Sequence, residues 1–327
     1  MPWRRTLRAP GVTISCMPSL YAGVDGGGTR TRAVVTASDL LALGRGASGP
    51  ANASRVPVPR LVQSVTEAVD DALEAAGATR SELAAVSCGL AGVEASAMKG
   101  RLVAALEAVF GTGRVRVTTD ARIALAGALP DPVADSGAVL IAGTGAICFG
   151  RNAHGLEERA GGWGALIGDE GSASEIARRG LAAVARDVDG RGPRTRMREA
   201  LHSTEGTRSA VEMVQRLFRP DAGPTDVAAY FPMVLEAARE GDEIALEILR
   251  WAGEELALTT LTVLRKLGIA AEDMTVATVG GVFVAGELVL EPLRERLLAG
   301  APRARLGPPA HVPEIGAIRL ALAEGAR

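Results

Sequence analysis

Three carboxylates and two glycine turns stand out as residues that could do chemistry. Asp25 ends an apolar run, Leu20 to Val24, and is followed by Gly26, Gly27, Gly28 and Thr29. Asp120 ends a second run, Val115 to Thr119, and Asp169 stands inside Gly168-Asp-Glu-Gly-Ser172. Gly143-Thr144-Gly145 repeats the glycine turn in altered form between Ala138–Ala142 and Ile147–Arg151. A turn without side chains lets backbone N–H groups approach an anion closely. Asp25 could orient a hydrated Mg²⁺, and Thr29 could add a hydroxyl to a phosphate. Two such turns with carboxylates suit a nucleoside triphosphate and its magnesium. Each carboxylate also has a structural reading. Asp25 could be a turn residue, Asp120 the cap of a helix over Ala121 to Ala128, and Asp169 the cap of a helix near Ser172.

The elements that must position these residues read as a mixed α/β chain. Leu20–Val24, Thr31–Thr36 and Leu41–Ala47 have the pattern of strands. Leu61, Val65, Ala68, Val69, Ala72 and Leu73 recur at helical spacing, which predicts a helix over Pro59–Ala76. A strand over Leu83–Leu90, a helix over Ala95–Phe110 and a strand over Val115–Thr119 complete a β-β-β-α-β-α-β domain. The strand, glycine turn and strand recur at Ala138–Arg151, so two related domains are expected. Gly161-Gly-Trp163-Gly164 and the Gly168–Ser172 segment form a glycine-rich loop of the kind that more often serves function than structure. A helical region follows from Ser174 to Leu267, its last helix, about Asp242–Leu267, apolar on much of its surface. Met274–Val279 reads as a strand leading into Gly280-Gly281-Val-Phe283, and Glu314–Ala323 as a terminal helix.

A chain of 327 residues suits two domains, and with 3% aromatics the cores must be aliphatic. A net charge of −2 gives no basic surplus for nucleic acid or an acidic membrane. No apolar run of about 18 residues predicts a membrane span. Cys16, Cys88 and Cys148 form no C-x-x-C pair, so they read as reduced residues of a cytosolic protein. Met1 to Ser19 reads as a disordered extension, with translation beginning at Met1 or at Met17. Gly44-Arg-Gly46-Ala-Ser-Gly49 matches a dinucleotide fingerprint, but Pro50, Pro57 and Pro59 follow where a helix must open. Walker A, protein-kinase, H-E-x-x-H and G-x-S-x-G patterns are all missing. His154, His202 and His311 have no partner pattern and read as surface or capping residues.

Val24-Asp-Gly-Gly-Gly-Thr29 resembles the first phosphate motif of the sugar kinase, heat-shock protein and actin superfamily. Gly143-Thr-Gly145 resembles its second phosphate motif, and Thr278-Val-Gly-Gly-Val-Phe283 its adenosine motif. Thr118-Thr-Asp-Ala121, Gly161–Gly164 and Gly168–Ser172 are similar to the N-acetylglucosamine kinase branch of the BadF/BadG/BcrA/BcrD family. The match runs in order over nearly the whole chain. It implies two ribonuclease H-like domains of the actin-like ATPase fold with ATP and substrate in a cleft between them. The implied boundaries are 20–130, joined by a terminal helix 315–327, and 131–314 with a helical insertion. The resemblance implies ATP and Mg²⁺ as cofactors, a small-molecule sugar as partner, and homodimer assembly. By motif, Asp120 matches the catalytic base and Gly280 and Gly281 the adenosine contact. Asn52, Gly143 and Asp169 match sugar contacts. Ala146 departs from the usual Ser after the second phosphate turn, and Ala91 and Ala160 depart from polar or sulfur-bearing residues near some relatives' sugars. The implied reaction is phosphorylation of an amino sugar hydroxyl, N-acetylglucosamine to its 6-phosphate, with glucosamine and N-acetylmuramic acid as alternative acceptors. The family's other branch, ATPases that activate 2-hydroxyacyl-CoA dehydratases, holds an iron–sulfur cluster through paired cysteines, which the three cysteines here do not form.

Overall fold

The computed structural model describes residues 19–93, 95–111, 113–203, 209–220 and 222–325, with the side chains of 96, 202, 203, 210, 213, 324 and 325 left aside. The expected extension therefore lies outside the described residues up to position 18, as does the side chain of His202. Contacts divide the chain into two units between Thr118 and Thr119.

The first unit contains β1 (Leu20–Gly26), β2 (Thr31–Thr36), β3 (Ala42–Ser48), α1 (Val58–Ala76), β4 (Leu83–Leu90), α2 (Ser96–Phe110) and β5 (Val115–Thr118). Its sheet runs β3-β2-β1-β4-β5. The first three strands are antiparallel, and β4 and β5 continue parallel to β1. The helical spacing predicted for α1 is observed: Leu61, Val65, Ala68, Val69, Ala72 and Leu73 all face the core. Gly77, at φ 65°, ends the helix in the left-handed conformation. The rejected dinucleotide glycines have a packing role instead. A Cβ on Gly44 would stand 2.0 Å from the Ala72 carbonyl, and one on Gly46 2.2 Å from that of Ala68, so α1 lies directly on β3.

The second unit contains α3 (Asp120–Ala128), β6 (Gly137–Ala142), β7 (Ala146–Arg151), β8 (Glu157–Gly161), α4 (Ala173–Val188), α5 (Met197–Ser203), α6 (Ala210–Leu217), α7 (Pro224–Ala228), α8 (Phe231–Arg239), α9 (Glu243–Leu267), β9 (Met274–Val279), α10 (Glu287–Gly300), β10 (Ala304–Gly307) and α11 (Pro313–Gly325). Its sheet runs β10-β9-β6-β7-β8, which repeats the plan of the first sheet strand for strand. Here too the first three strands are antiparallel and the last two parallel. The two related domains expected from the repeated glycine turn are thus observed. The core is aliphatic, with Leu140, Ile176, Leu249, Leu256, Leu264 and Leu293 fully enclosed. Helix α9 opens on Asp242, whose Oδ1 accepts from the Ala245 N–H, and closes on Gly268 at φ 73°. Helices α3 and α11 group with this unit, whereas the sequence reading placed residues 120–130 and the terminal helix with the first domain. They cross closely: a Cβ on Gly316 would stand 2.0 Å from the Ile123 carbonyl. Among the described residues no helix is long and apolar enough to cross a membrane.

Candidate functional site

In the first unit the glycine turn joins β1 to β2. Asp25 pairs with Arg32 and Gly26 with Thr31, and the Gly27 N–H closes the turn on the Arg30 carbonyl at 3.1 Å. The three glycines are there for different reasons. A Cβ on Gly26 would meet Leu90 at 2.6 Å and Ala51 at 2.9 Å, so packing requires that glycine. Gly27 and Gly28 have room for a Cβ, and neither takes a left-handed φ. The fold does not demand glycine at 27 or 28, and the result is bare backbone beside an exposed Thr29. Asp25 is half-buried immediately before it. A carboxylate oxygen there is the hard donor that Mg²⁺ prefers, directly or through water.

Asn52 belongs to the same end of this sheet. The Ala51 N–H donates to the Gly27 carbonyl at 3.0 Å, the Ala91 N–H to Gly26 at 2.9 Å, and the Ala53 N–H to Ala91 at 2.8 Å. These bonds fasten the Asn52 segment across the carboxyl ends of β1 and β4, where open α/β sheets bind ligands. The Asn52 Oδ1 accepts from the Ser54 N–H at 2.9 Å, which fixes the amide's orientation. Gly92, at φ 77°, lets this amide approach, since a Cβ would stand 2.9 Å from Oδ1.

In the second unit Gly143, Thr144 and Gly145 form a three-residue turn between Ala142 and Ala146, which pair across β6 and β7. The Gly143 N–H donates to the Gly145 carbonyl at 2.9 Å. Nothing lies within 4 Å of a Cβ on Gly143, so this backbone too is bare without being forced to be glycine. Gly145 is different: a Cβ there would stand 2.7 Å from Asp169 Oδ2. The Asp169 carboxylate therefore rests against the turn. Asp169 is 7% exposed and takes φ 64°, a conformation that costs a non-glycine residue energy. It does not cap α4. That duty falls to Ser172, whose Oγ accepts from the Glu175 N–H at 3.2 Å. The carboxylate instead accepts from the Gly164 N–H at 3.3 Å, tying it to the glycine loop. In that loop Gly161, Gly162 and Gly164 all have positive φ, and Trp163 is 65% exposed with the Arg159 guanidinium 5.0 Å from its ring centre.

Asp120 is the first residue of α3 and is half-buried. Its expected alternative, a capping role, belongs to Thr119, whose Oγ1 accepts from the Arg122 N–H at 3.2 Å. Asp120 Oδ1 accepts from the next N–H, that of Ala121, at 2.9 Å. Gly280 follows β9 at φ 120°, and a Cβ there would stand 2.2 Å from the Ala142 carbonyl. Gly280 is thus packed against the residue that leads into the Gly143–Gly145 turn. Gly281 has open space around its Cα. Ala146 is 4% exposed and sits in the core cluster with Leu140 and Cys148, so its methyl has a packing role.

The structure therefore brings Asp25, Gly26, Gly27 and Asn52 together in one unit. In the other it brings together Gly143, Gly145, Asp169 and Gly280. A cavity of about 980 Å³ between Asp187–Glu199 and the start of α9 contains none of these residues. Sequence reasoning missed Ser172 and Ser174. Ser174 Oγ donates to the Thr144 carbonyl at 2.7 Å, and the Ala173 N–H donates to that of Gly143 at 2.8 Å. No motif marks such a bond, because any small hydroxyl residue near a helix start reads as a cap.

Known proteins resemble this chain over nearly its whole length. The model of the BadF/BadG/BcrA/BcrD ATPase family matches residues 22–321. The N-acetylmuramic acid/N-acetylglucosamine kinase of Clostridium acetobutylicum is 28% identical over 92% of this chain and 98% of its own length. The N-acetyl-D-glucosamine kinase of Dictyostelium discoideum is 26% identical over 93% of this chain and 98% of its own. Among solved structures, a protein of Chromobacterium violaceum provisionally named an N-acetylglucosamine kinase superposes with a TM-score of 0.74. It is 29% identical and covers 93% of this chain and 99% of that one. The fold is the actin-like ATPase fold of sugar kinases, and the enzyme class is that of an ATP-dependent kinase. With its motifs, its duplicated sheet and a family match across both units, the chain belongs to the BadF/BadG/BcrA/BcrD ATPase family.

Proposed function

We propose that the chain transfers the γ-phosphoryl group of ATP to a hydroxyl of an amino sugar, converting N-acetylglucosamine to its 6-phosphate. The observation that carries this reading is Asp169. It is a buried carboxylate held in a costly conformation and seated against a bare glycine turn, while Ser172 caps α4. Strain of this kind persists where surroundings over-determine it and where function benefits. A carboxylate can accept hydrogen bonds from two neighbouring ring hydroxyls, and the Asn52 amide can add a donor and an acceptor.

In this reading Asp120 accepts the proton of the attacking hydroxyl. Gly26, Gly27, Gly28 and Thr29, with Gly143, Thr144 and Gly145, form the two phosphate turns. The N–H groups of Gly27 and Gly143 close those turns, so Gly28, Thr29, Thr144 and Gly145 are the ones that donate to the phosphates. Gly280 packs on Ala142, and Gly281 beside it leaves room for adenosine. Asp25 would hold a hydrated magnesium ion, which would supply charge neutralisation on the phosphates. Phosphoryl transfer needs positioning and electrostatic stabilisation more than covalent chemistry, and these residues offer both.

The dehydratase-activator reading fares worse. Cys88 and Cys148 are fully enclosed, one in the core of each unit, and burial pushes both thiols up to about 12. Neither offers a thiolate at a surface. The test is a coupled ADP-release assay with Mg-ATP and a panel of N-acetylglucosamine, glucosamine, N-acetylmuramic acid and glucose. Preferential turnover of N-acetylglucosamine is the expected result. Preference for another amino sugar would move the acceptor, and ADP release indifferent to all four would overturn the reading.

A further inference from the structure

The Gly143–Gly145 turn is held residue by residue by the segment that follows the glycine loop. The Gly143 carbonyl accepts from the Ala173 N–H at 2.8 Å. The Thr144 carbonyl accepts from Ser174 Oγ at 2.7 Å. The Gly145 Cα lies against the Asp169 carboxylate. Ser172 and Ser174 are 0% and 3% exposed, and their hydroxyl oxygens are 3.0 Å apart. A hydroxyl has one proton. Ser174 uses its proton on Thr144, so Ser172 is the donor in that pair, while its own Oγ accepts from the Glu175 N–H. The result is a directed relay, Glu175 N–H to Ser172 to Ser174 to the Thr144 carbonyl, in a buried setting where such chains reinforce one another.

Asp169 begins this segment and Ser174 ends it. The Asp169 carbonyl accepts from the Ser172 N–H at 3.0 Å, so one tight turn ties Asp169 to Ser172, whose hydroxyl in turn donates to Ser174. A ligand on Asp169 would restrain a segment that grips every residue of the phosphate turn. We propose that Ser174 is a positioning residue that couples occupancy of the acceptor site at Asp169 to the geometry of the Gly143–Gly145 turn, so that sugar and nucleotide each tighten the other's binding. This rests on the sugar-kinase reading above. It requires no contact of Ser174 with either substrate.

Coupling is reciprocal: the factor by which sugar tightens nucleotide equals the factor by which nucleotide tightens sugar. Isothermal titration of the full chain with N-acetylglucosamine and a non-hydrolysable ATP analogue, each alone and with the other saturating, measures that factor both ways. The wild type should show coupling of roughly 5-fold or more, the lower end for allosteric pairs. Ser174→Ala should lower it by roughly 2- to 10-fold in both directions, as expected for one neutral hydrogen bond. The affinities for each ligand alone should change by no more than about twofold, since the residues that touch them remain. Ser174→Thr keeps the hydroxyl and should retain the coupling. If the alanine variant is unstable, Ser174→Cys keeps the volume with a far weaker donor and should show the same loss. Wild-type coupling in a folded alanine or cysteine variant overturns the proposal, as does a wild type that binds both ligands without coupling. A wild type that binds nucleotide but no sugar of the panel overturns the sugar-kinase reading itself.

Discussion

Asp120 and Asp169 show how a residue's role is decided by its neighbours. Both stand where a helix begins, and from sequence either could be a cap. In each case a nearby hydroxyl does the capping, Thr119 just before Asp120 for α3 and Ser172 three residues after Asp169 for α4. The residue types and their order were legible because glycine, aspartate and threonine at strand ends leave few alternatives. The φ of Asp169 and its rest against Gly145 were not, since they depend on packing between segments about 25 positions apart in the chain. Asp120→Asn should fold as the wild type and lose roughly 10²- to 10⁴-fold in turnover, the span of a general base. Turnover at the wild-type level in this variant would remove Asp120 from the chemistry. Asp169→Gly relieves the strained φ, so it should melt no lower than the wild type. Its sugar KM should rise roughly 10- to 150-fold, the loss of hydrogen bonds to a charged group. A variant that melts well below the wild type yet keeps its sugar KM would make Asp169 a structural residue.

At the scale of elements, glycine does two jobs that the sequence writes identically. On β3 it admits the backbone of α1, and in the β1–β2 turn it leaves an unobstructed surface. Gly46→Ala would press a methyl against the Ala68 carbonyl and should destabilise by about 1–3 kcal/mol, the range for overpacking. Gly28→Ala meets nothing and should keep the wild-type melting temperature, while raising the ATP KM roughly 10-fold if one phosphate contact is lost. Equal effects of the two on stability would contradict this division. The hairpins were legible from apolar runs broken by glycine turns, and α1 from its helical period. Strands β8 and β10 and helix α10 were not, since β8 is Glu-Glu-Arg-Ala-Gly, β10 has four residues, and α10 contains Pro292. Helix α4 adds a pH-dependent term. Burial raises the Glu175 carboxyl, but Arg178 at 2.7 Å and Arg179 at 3.0 Å outweigh it and hold it below its ordinary 4.5. A depressed carboxyl stabilises above its unfolded value, and that contribution disappears as pH falls through the folded one. Melting temperatures of the wild type and Glu175→Gln should therefore differ at pH 7 and converge below pH ~4. A constant gap across that range would show that the ion pairs do not stabilise the fold.

At the scale of the whole molecule, the two sheets share one plan, yet the second unit is closed by the chain's last helix. Asp120 stands at the first position of α3, and α11 begins nearly two hundred residues later. The two helices meet where Gly316 lies on the Ile123 carbonyl and the His311 N–H donates to Gly127 at 2.8 Å. Arg319 Nη1 donates to the carbonyls of Ala126 and Leu129 at 2.6 and 2.7 Å, and Nη2 donates to that of Pro130. The Ala126 and Gly127 carbonyls are orphan acceptors of the last turn of α3, and those of Leu129 and Pro130 follow directly, so α11 and the residues before it satisfy the end of α3. Contacts this distant in sequence carry a large loop-closure cost, which burial on α11 must offset. Ile315, Ile318 and Leu320 on α11 are buried, and each contributes about 1.5–3 kcal/mol. Their loss, roughly 5–9 kcal/mol in all, is comparable with the whole stability of a typical domain at about 5–15 kcal/mol. Deleting Pro313 to Arg327 should thus abolish the cooperative melting of the second unit and, with α3 unsupported, the kinase activity proposed to depend on Asp120. Limited proteolysis should then cut within residues 119–312 while a fragment of the first unit survives. If the shortened chain melts as the wild type and still phosphorylates its sugar, α11 does not hold α3 in place.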